Sequence, residues 1–387
     1  MTMILELDID SLAAGGDGVG RDASGRVTFV PRTAPGDRVR ARIIKQTKTF
    51  ARAELVEVLT PSPSRVEPPC PHFTEGCGGC EWMHVSRPAQ LAAKQAIVLG
   101  ALRKLEGLTV HPIADPAPPL GWRRRARFHV GGDTVGLYQL GTHRIVPIAS
   151  CPQLEPRLDA AYQKTVGLTP PSGELALLVG HAGAIALATT RPWRLARSLV
   201  ESHWPSGVVS AGVSVGEPVI EVEPGLFGTP WDFAQASAAG NAALTARTRA
   251  AVGPGPGRLL ELYAGAGNLT RGLLADGWSV TATDGVKPAK PPTENYLAGE
   301  VTAVLEKLDG PFDAVVLDPP RAGAADTIAA IVRLSPRVIA YVSCDPATLA
   351  RDATKLIEAG YRATDAWPID LMPQTSHVEV VLRFERG

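Results

Sequence analysis

From residue 257 onward the chain alternates short β-branched runs with helix-period segments, and that alternation commits this part to a mostly parallel sheet covered by helices. Strands are expected over 259–263, 279–283, 312–317 and 338–342, with a terminal strand over 378–384. Helices are expected from residue 269, over 325–334 and over 346–359. The segment Gly253-Pro-Gly-Pro-Gly257 marks where the unit begins. A doubly wound, Rossmann-like α/β domain binds ligands at the carboxyl ends of its strands, so the residues that follow each run are where chemistry is expected.

The rest of the 387-residue chain leaves room for one or two further domains at roughly 150 residues each. Residues 1–58 break into short strands over 4–9, 27–30, 39–44 and 53–59, separated by glycine turns, the pattern of a small β-barrel. Residues 122–190 return to strands and suggest a central β-rich domain, with a hairpin over 175–190 turning at Gly180-His-Ala-Gly183. Between them lie proline-rich connectors at 61–71 and 112–119 and a helix-period segment over 91–105.

The 39 basic and 39 acidic residues cancel, so no global field advertises a polyanion, and any such partner must be met locally. Two stretches are locally basic. Arg38, Arg40, Arg42, Lys45, Lys48 and Arg52 occur with no acid among them, and Arg38, Arg40 and Arg42 share one strand face. Arg123, Arg124, Arg125, Arg127 and Arg144 meet only Asp133 between 122 and 151. Each stretch reads either as a solvated face or as a surface that tracks phosphates. No run of 18 apolar residues occurs and the N-terminus is acidic where a secretory signal is basic, so a cytoplasmic location with no membrane contact is expected.

The turn Ala264-Gly-Ala-Gly-Asn-Leu-Thr270 follows a strand and opens a helix, where glycines let backbone approach a ligand. A dinucleotide fingerprint wants a third glycine where Thr270 stands, and Asp284, 17 residues after Gly267, is placed to accept from ribose hydroxyls. S-adenosylmethionine, a nucleoside without a pyrophosphate, fits this pair better than a nicotinamide cofactor. Asp318-Pro-Pro-Arg321 ends the next strand, its prolines fixing the carboxylate for a planar base. Cys344 follows another and precedes a helix opening at Pro346, so the helix dipole is expected to lower its thiol pKa and make it a nucleophile. Cys70, Cys77, Cys80 and the remote Cys151 supply four thiolates in a three-plus-one spacing that favours a [4Fe-4S] cluster over zinc.

This combination resembles the RNA 5-methyluridine methyltransferases, which methylate C5 of uracil in ribosomal or transfer RNA with S-adenosylmethionine. The resemblance covers nearly the whole chain. It rests on residues 70–82, Gly136-Leu-Tyr, Cys151-Pro-Gln-Leu154, Phe233-Ala-Gln235, Leu262-Tyr-Ala-Gly-Ala-Gly-Asn-Leu-Thr270, Asp318-Pro-Pro-Arg-Ala-Gly323, Val342-Ser-Cys-Asp-Pro-Ala-Thr-Leu-Ala-Arg-Asp352 and Met372-Pro-Gln-Thr-Ser-His-Val-Glu379. Departures are one extra residue between Cys70 and Cys77, Asp284 where many members have Glu, and Ser237 and Asp345 where Asn is frequent.

The resemblance implies a TRAM domain, an OB-like RNA-binding barrel, over 1–60, a central iron-sulfur domain over 61–87 and 121–232, and a methyltransferase domain over 88–120 and 233–387. It implies that Cys344 adds to C6 of uracil and that Glu379 removes the C5 proton. Phe233 would stack on the flipped base. Gln235, Tyr263, Gly265, Asn268, Asp284 and Asp318 would hold the cofactor, and Arg40, Arg42, Arg123 and Arg125 would contact RNA. The expected activity is that of a 23S rRNA (uracil-5-)-methyltransferase acting as a monomer. A transfer-RNA uracil methyltransferase, an RNA cytosine-C5 methyltransferase and a non-enzymatic RNA-binding iron-sulfur protein stay open as alternatives.

Overall fold

The computed structural model describes residues 3–387. Strands Ile4–Leu12, Gly18–Arg21, Val27–Val30, Arg38–Gln46 and Phe50–Thr60 close a barrel in the order one, two, three, five, four. The fourth returns to the first, from Ile4↔Arg42 to Asp8↔Arg38, so the barrel has no free edge. Alternation buries Leu7, Ile9, Val39, Ala41 and Ala53 inside and turns Arg38, Arg40 and Arg42 outward. That outward row is not the unopposed basic stripe its sequence suggests. Arg40 meets Glu57 at 2.6 Å and Glu6 at 3.0 Å, Arg38 meets Glu6 at 3.5 Å, and Arg42 meets Glu54 at 3.8 Å. Glu54 and Glu57 lie on the next strand, which folds back on this one as a hairpin, and Glu6 lies on the first strand, which meets it when the barrel closes, so the partners fall outside the basic run itself.

The central domain is a seven-stranded sheet in which Gly173–Val179 pairs on one side with Arg125–Gly131 and on the other with Ile185–Thr189, the expected hairpin. Helix Pro156–Val166 covers it through Leu158, Ala161 and Tyr162, which pack with Phe128, Leu175 and Leu187.

The third body holds an eight-stranded sheet. Strands Tyr296–Ala298, Trp278–Asp284, Gly257–Leu262, Ala314–Leu317 and Val338–Ser343 run parallel in that spatial order, the doubly wound arrangement expected. The terminal strand Glu379–Arg386 departs from it: it is antiparallel, inserted between Val338–Ser343 and Tyr361–Ile369. Residues 370–378 are too few for a crossover, so the last two long strands must form a hairpin. Strand Tyr361–Ile369 and helix Ala238–Val252 are further elements that the pattern of apolar residues did not reveal.

Helix Arg87–Leu102, far earlier in the chain, packs here too: Val98 and Leu102 join Leu260, Leu349 and Leu382 in one core, and strand Thr109–Val110 extends the sheet edge beside Asp365 and Ala366. The same helix buries Lys94 completely against Asp370, with Nζ 2.6 Å from the carboxylate and 3.1 Å from the Met372 carbonyl. Removing one partner of such a pair typically costs about 3–5 kcal/mol, which holds the 370–374 segment in place. Among the described residues no helix is long and apolar enough to cross a membrane.

Candidate active site

Parallel strands end on a common edge, and this edge gathers Asp284, Asp318 and Cys344 at the ends of their strands. The antiparallel last strand begins where the others finish, so Glu379, its first residue, joins them: Ser343 pairs with Val380. Glu379 is 5% exposed. Burial raises its carboxyl pKa, Asp318 raises it further and Arg321 opposes both; burial also raises Asp318. The buried carboxyls thus hold protons well above the ordinary carboxylate range.

Cys344 lies within the field of the same groups, and here the expectation of a lowered thiol pKa fails. Burial pushes the thiol up to about 11, and Glu379 and Asp318 push the same way against Arg321. The helix dipole does not rescue it, because Asp345 caps helix Pro346–Glu358: its carboxylate accepts from Ala347 N at 3.0 Å and Thr348 N at 2.8 Å. The dipole's positive end is therefore spent on Asp345. Arg321 Nη2 lies 3.1 Å from His377 Nε2, and burial with this cation holds His377 down to about 4, so the imidazole is neutral at neutral pH.

The Asp318-Pro-Pro-Arg turn is anchored from below. Buried Asp352 accepts from Ala324 N at 2.7 Å and from the Tyr341 hydroxyl at 2.8 Å. Gly323 has φ of +81°, and a Cβ there would meet Asp352 Oδ2 at 2.4 Å, so only glycine lets the turn close over this anchor.

At the glycine turn Asp284 accepts from Gly265 N at 2.9 Å, and the Tyr296 hydroxyl donates to the Gly265 carbonyl at 2.8 Å. Tyr263 occupies left-handed backbone, φ 60°, a conformation that costs a non-glycine residue of order 1–3 kcal/mol and is held by the turn that follows. Asn268 and Asn241 exchange amide hydrogen bonds at 2.7 and 2.8 Å. Asn241 also donates to Glu223 Oε1 at 2.8 Å, and buried Arg124 reaches the same oxygen at 2.6 Å while donating from Nε to the Gln235 carbonyl at 2.8 Å. One chain of contacts thereby joins the glycine turn to the Phe233-Ala-Gln235 segment. Sequence reading did not single out Glu223 or Asn241, and it counted Arg124 only within a basic stretch, whereas here Arg124 is buried and paired with Glu223.

The four cysteine side chains Cys70, Cys77, Cys80 and Cys151 line one cavity of about 170 Å³. Among the described residues no three His, Cys, Asp or Glu side chains converge closely enough to hold a metal ion. Gly79 N donates to Cys77 Sγ at 3.4 Å, and Gly78 N donates to the Tyr138 carbonyl at 2.9 Å, clamping the C-x-x-C turn to the central sheet. Arg123, expected on an RNA surface, instead lines this cavity, with Cys80, Cys151 and Glu81 as its negative neighbours. Arg32, from the barrel, donates to the Cys77 carbonyl at 2.6 Å and stacks on Phe73 at 3.5 Å. The cysteine segment also touches the segment that leads to Glu379: Trp82 N donates to the Gln374 carbonyl at 3.0 Å and Ser376 N to Glu81 at 3.3 Å.

Arg125 and Phe233 come together, the guanidinium carbon 5.5 Å from the ring centroid, with Phe233 73% exposed. Arg40 and Arg42 lie on the barrel, in the ion pairs described above.

Two family models match: "TRAM domain" over residues 3–56 and "tRNA (Uracil-5-)-methyltransferase" over 303–386. The 23S rRNA (uracil(1939)-C(5))-methyltransferase RlmD of Shewanella putrefaciens is 31% identical, over 98% of this chain and 95% of its own. The RlmD enzyme of Chromohalobacter salexigens is 33% identical over 98% and 89%. Among solved structures, the Pyrococcus abyssi tRNA (uracil-54, C5)-methyltransferase in complex with S-adenosyl-L-homocysteine matches with a TM-score of 0.73 at 21% identity, covering 98% of this chain and 99% of that one, a likeness of fold. With relatives above 30% identity along almost its full length, the chain belongs to the RNA uracil-C5 methyltransferase family of S-adenosylmethionine-dependent enzymes.

Proposed function

We propose that the chain methylates C5 of a uridine in 23S ribosomal RNA, the position numbered 1939 in the names of its relatives, from S-adenosylmethionine in the cytoplasm. The observation that carries this reading is that Cys344 and Glu379, from strands running in opposite directions, share one buried edge with Asp318. A nucleophile and a base so placed suit one carbon framework, in which attack at one atom activates its neighbour.

C5 of uracil is a poor nucleophile. Cys344 gives up its thiol proton to solvent and adds to C6 as the thiolate, forming a C–S bond and an enolate. C5 of the enolate attacks the sulfonium methyl, and S-adenosylhomocysteine leaves. The adduct keeps the original hydrogen on C5; the Glu379 carboxylate takes it as a proton, the C5–C6 double bond re-forms and the thiolate departs. Phe233, exposed and close to Arg125, would stack on the extruded uracil, and Gln235 would hydrogen-bond beside it. Gly265, Asn268, Tyr263, Asp284 and Asp318 would hold the methyl donor, the glycine turn lying against its amino-acid end and Asp284 near its ribose.

The cysteine cavity fits an iron-sulfur group. Four thiols line one cavity, a donor set whose chemistry suits an iron-sulfur cluster, and Arg32 and Arg123 supply cations beside thiolates that would otherwise repel. Cys70, Cys77, Cys80 and Cys151 would hold a [4Fe-4S] cluster, which when bound cross-links the residues around Cys77 to those around Cys151 and takes no part in a methyl transfer that moves no net electrons. The functional division follows: an RNA-binding barrel over 1–60, the cysteine domain over 61–87 and 121–232, and the catalytic domain over the remainder.

Mass-spectrometric mapping of 5-methyluridine in ribosomal and transfer RNA from cells with and without the gene tests the assignment. Loss of one 5-methyluridine from 23S rRNA is expected; loss only from transfer RNA would overturn it.

A further inference from the structure

Strand Arg125–Gly131 carries Arg125 and Arg127 two residues apart, on one face and separated by about 6.8 Å along the strand. Each guanidinium is fixed twice by the segment that runs beside it. Arg125 donates to the Ala234 carbonyl at 3.0 Å and lies 5.5 Å from the Phe233 centroid. Arg127 donates to the Trp231 carbonyl at 3.1 Å and lies 5.1 Å from the Trp231 centroid. Trp231 in turn packs against Ala176, Ala188 and Val209 of the central sheet, so ring and guanidinium are stacked on a rigid floor.

Neither Arg125 nor Arg127 has an ion-pair partner among the described residues, unlike Arg124, which pairs with Glu223. Asp232, between Trp231 and Phe233 in sequence, is the one carboxylate whose field favours the Arg125 cation, and it makes no ion pair with it, accepting instead from Thr229 N at 2.7 Å. Arg127 and Phe233 are exposed. Two pinned cations with aromatic backing, neither in an ion pair among the described residues, therefore lie along the segment that carries Phe233 and Gln235.

We propose that Arg127, pinned on Trp231, is a second stacking platform one step out from Arg125 and Phe233, which takes the nucleotide next to the target uridine in a single-stranded stretch of RNA. A guanidinium plane stacks on a base and meets a phosphate with the same face-and-edge geometry, and every base has a stacking face, so the platform grips a strand without demanding a sequence. Pre-fixing by ring and carbonyl removes the rotamer entropy that a free arginine loses on binding. The inference rests on the reading that the substrate is RNA.

The test is binding of a 23S rRNA transcript carrying the target uridine to the full-length protein and to Trp231→Ala, Arg127→Gln and the double variant. Each single change is expected to weaken binding about tenfold, since stacking on one base contributes about 1–3 kcal/mol, and the double variant to be no weaker than the worse single one because ring and guanidinium act as one platform. Trp231→Phe keeps a ring and should retain most of the affinity. Binding of S-adenosylhomocysteine alone, unchanged in all variants, shows that the fold is intact. A duplex of the same sequence should bind all forms alike. Single variants that bind as tightly as wild type, or losses that add in the double variant, overturn the platform. If the wild-type protein methylates transfer RNA instead, the ribosomal reading fails, and the same comparison on that RNA still decides the platform.

Discussion

Oε1 of Glu223 forms an ion pair with Arg124 Nη2, 2.6 Å away, and accepts from Asn241 Nδ2 at 2.8 Å, so one carboxylate oxygen ties the central domain to the helix beside the glycine turn. Asn241 passes the constraint to Asn268 and Arg124 passes it to the Gln235 carbonyl. Glu223→Gln keeps the shape but loses the charge and one acceptor, leaving buried Arg124 without its ion pair. S-adenosylmethionine affinity should fall about tenfold, ~1.4 kcal/mol, by calorimetry. RNA affinity should fall with it, because Gln235 and Phe233 hang from the same strut. Unchanged affinity for both would show that Asn268 and Gln235 are held independently.

The cysteine set makes a second prediction. Protein purified without oxygen should be brown and contain about four irons, and Cys80→Ser should lose them. Because Trp82 and Glu81 hold the Gln374 carbonyl and Ser376 N, loss of the metal should loosen the segment that leads to Glu379. Hydrogen exchange at 374–379 should quicken while strand Val338–Ser343 stays protected. A colourless protein with one bound zinc, or unaltered exchange, would contradict it.

The raised pKa of the carboxyls sets the pH dependence. Glu379 must be ionised to accept the C5 proton, a step that follows methyl transfer, so kcat should rise through the neutral range rather than near pH 4, the ordinary carboxylate region. It should climb further toward alkaline pH as Cys344, held up to about 11, ionises. The same shift works against stability: between the unfolded carboxyl pKa and the higher folded one, only the native state holds the proton, so stability falls as pH rises through that window. Glu379→Gln should abolish the neutral limb of the rate and lessen this decline in stability, Asp318 keeping its own share. A rate that is flat from pH 6 to 9 would contradict the assignment of the base.

The parts of this site that were legible in the sequence are those carried by single turns. Gly265, Asp284, Asp318 and Cys344 each follow an apolar run, and parallel strands bring run ends to one edge whatever their order. What sequence could not show depends on pairing across long separations. Glu6 meets Arg38 and Arg40 only through closure of the barrel, and Glu54 and Glu57 meet Arg42 and Arg40 through the register of the hairpin that follows. The expected thiolate at Cys344 failed because the helix dipole was assigned to the thiol, when Asp345 accepts from both exposed amides. Arg123 turns inward to the cysteines although its neighbour Arg125 faces Phe233, as alternation on an extended segment does not fix which face a domain partner covers.

The central claim is that uracil is methylated through a bond from Cys344 to C6, with the C5 substituent removed afterwards. RNA containing 5-fluorouridine carries a C5 substituent that no base can take as a cation, so methyl transfer should halt with the RNA attached to the protein. A denaturing gel of wild-type protein, S-adenosylmethionine and that RNA should show a slow-migrating RNA-protein band, and Cys344→Ala should show none. The same band in Cys344→Ala would contradict the account.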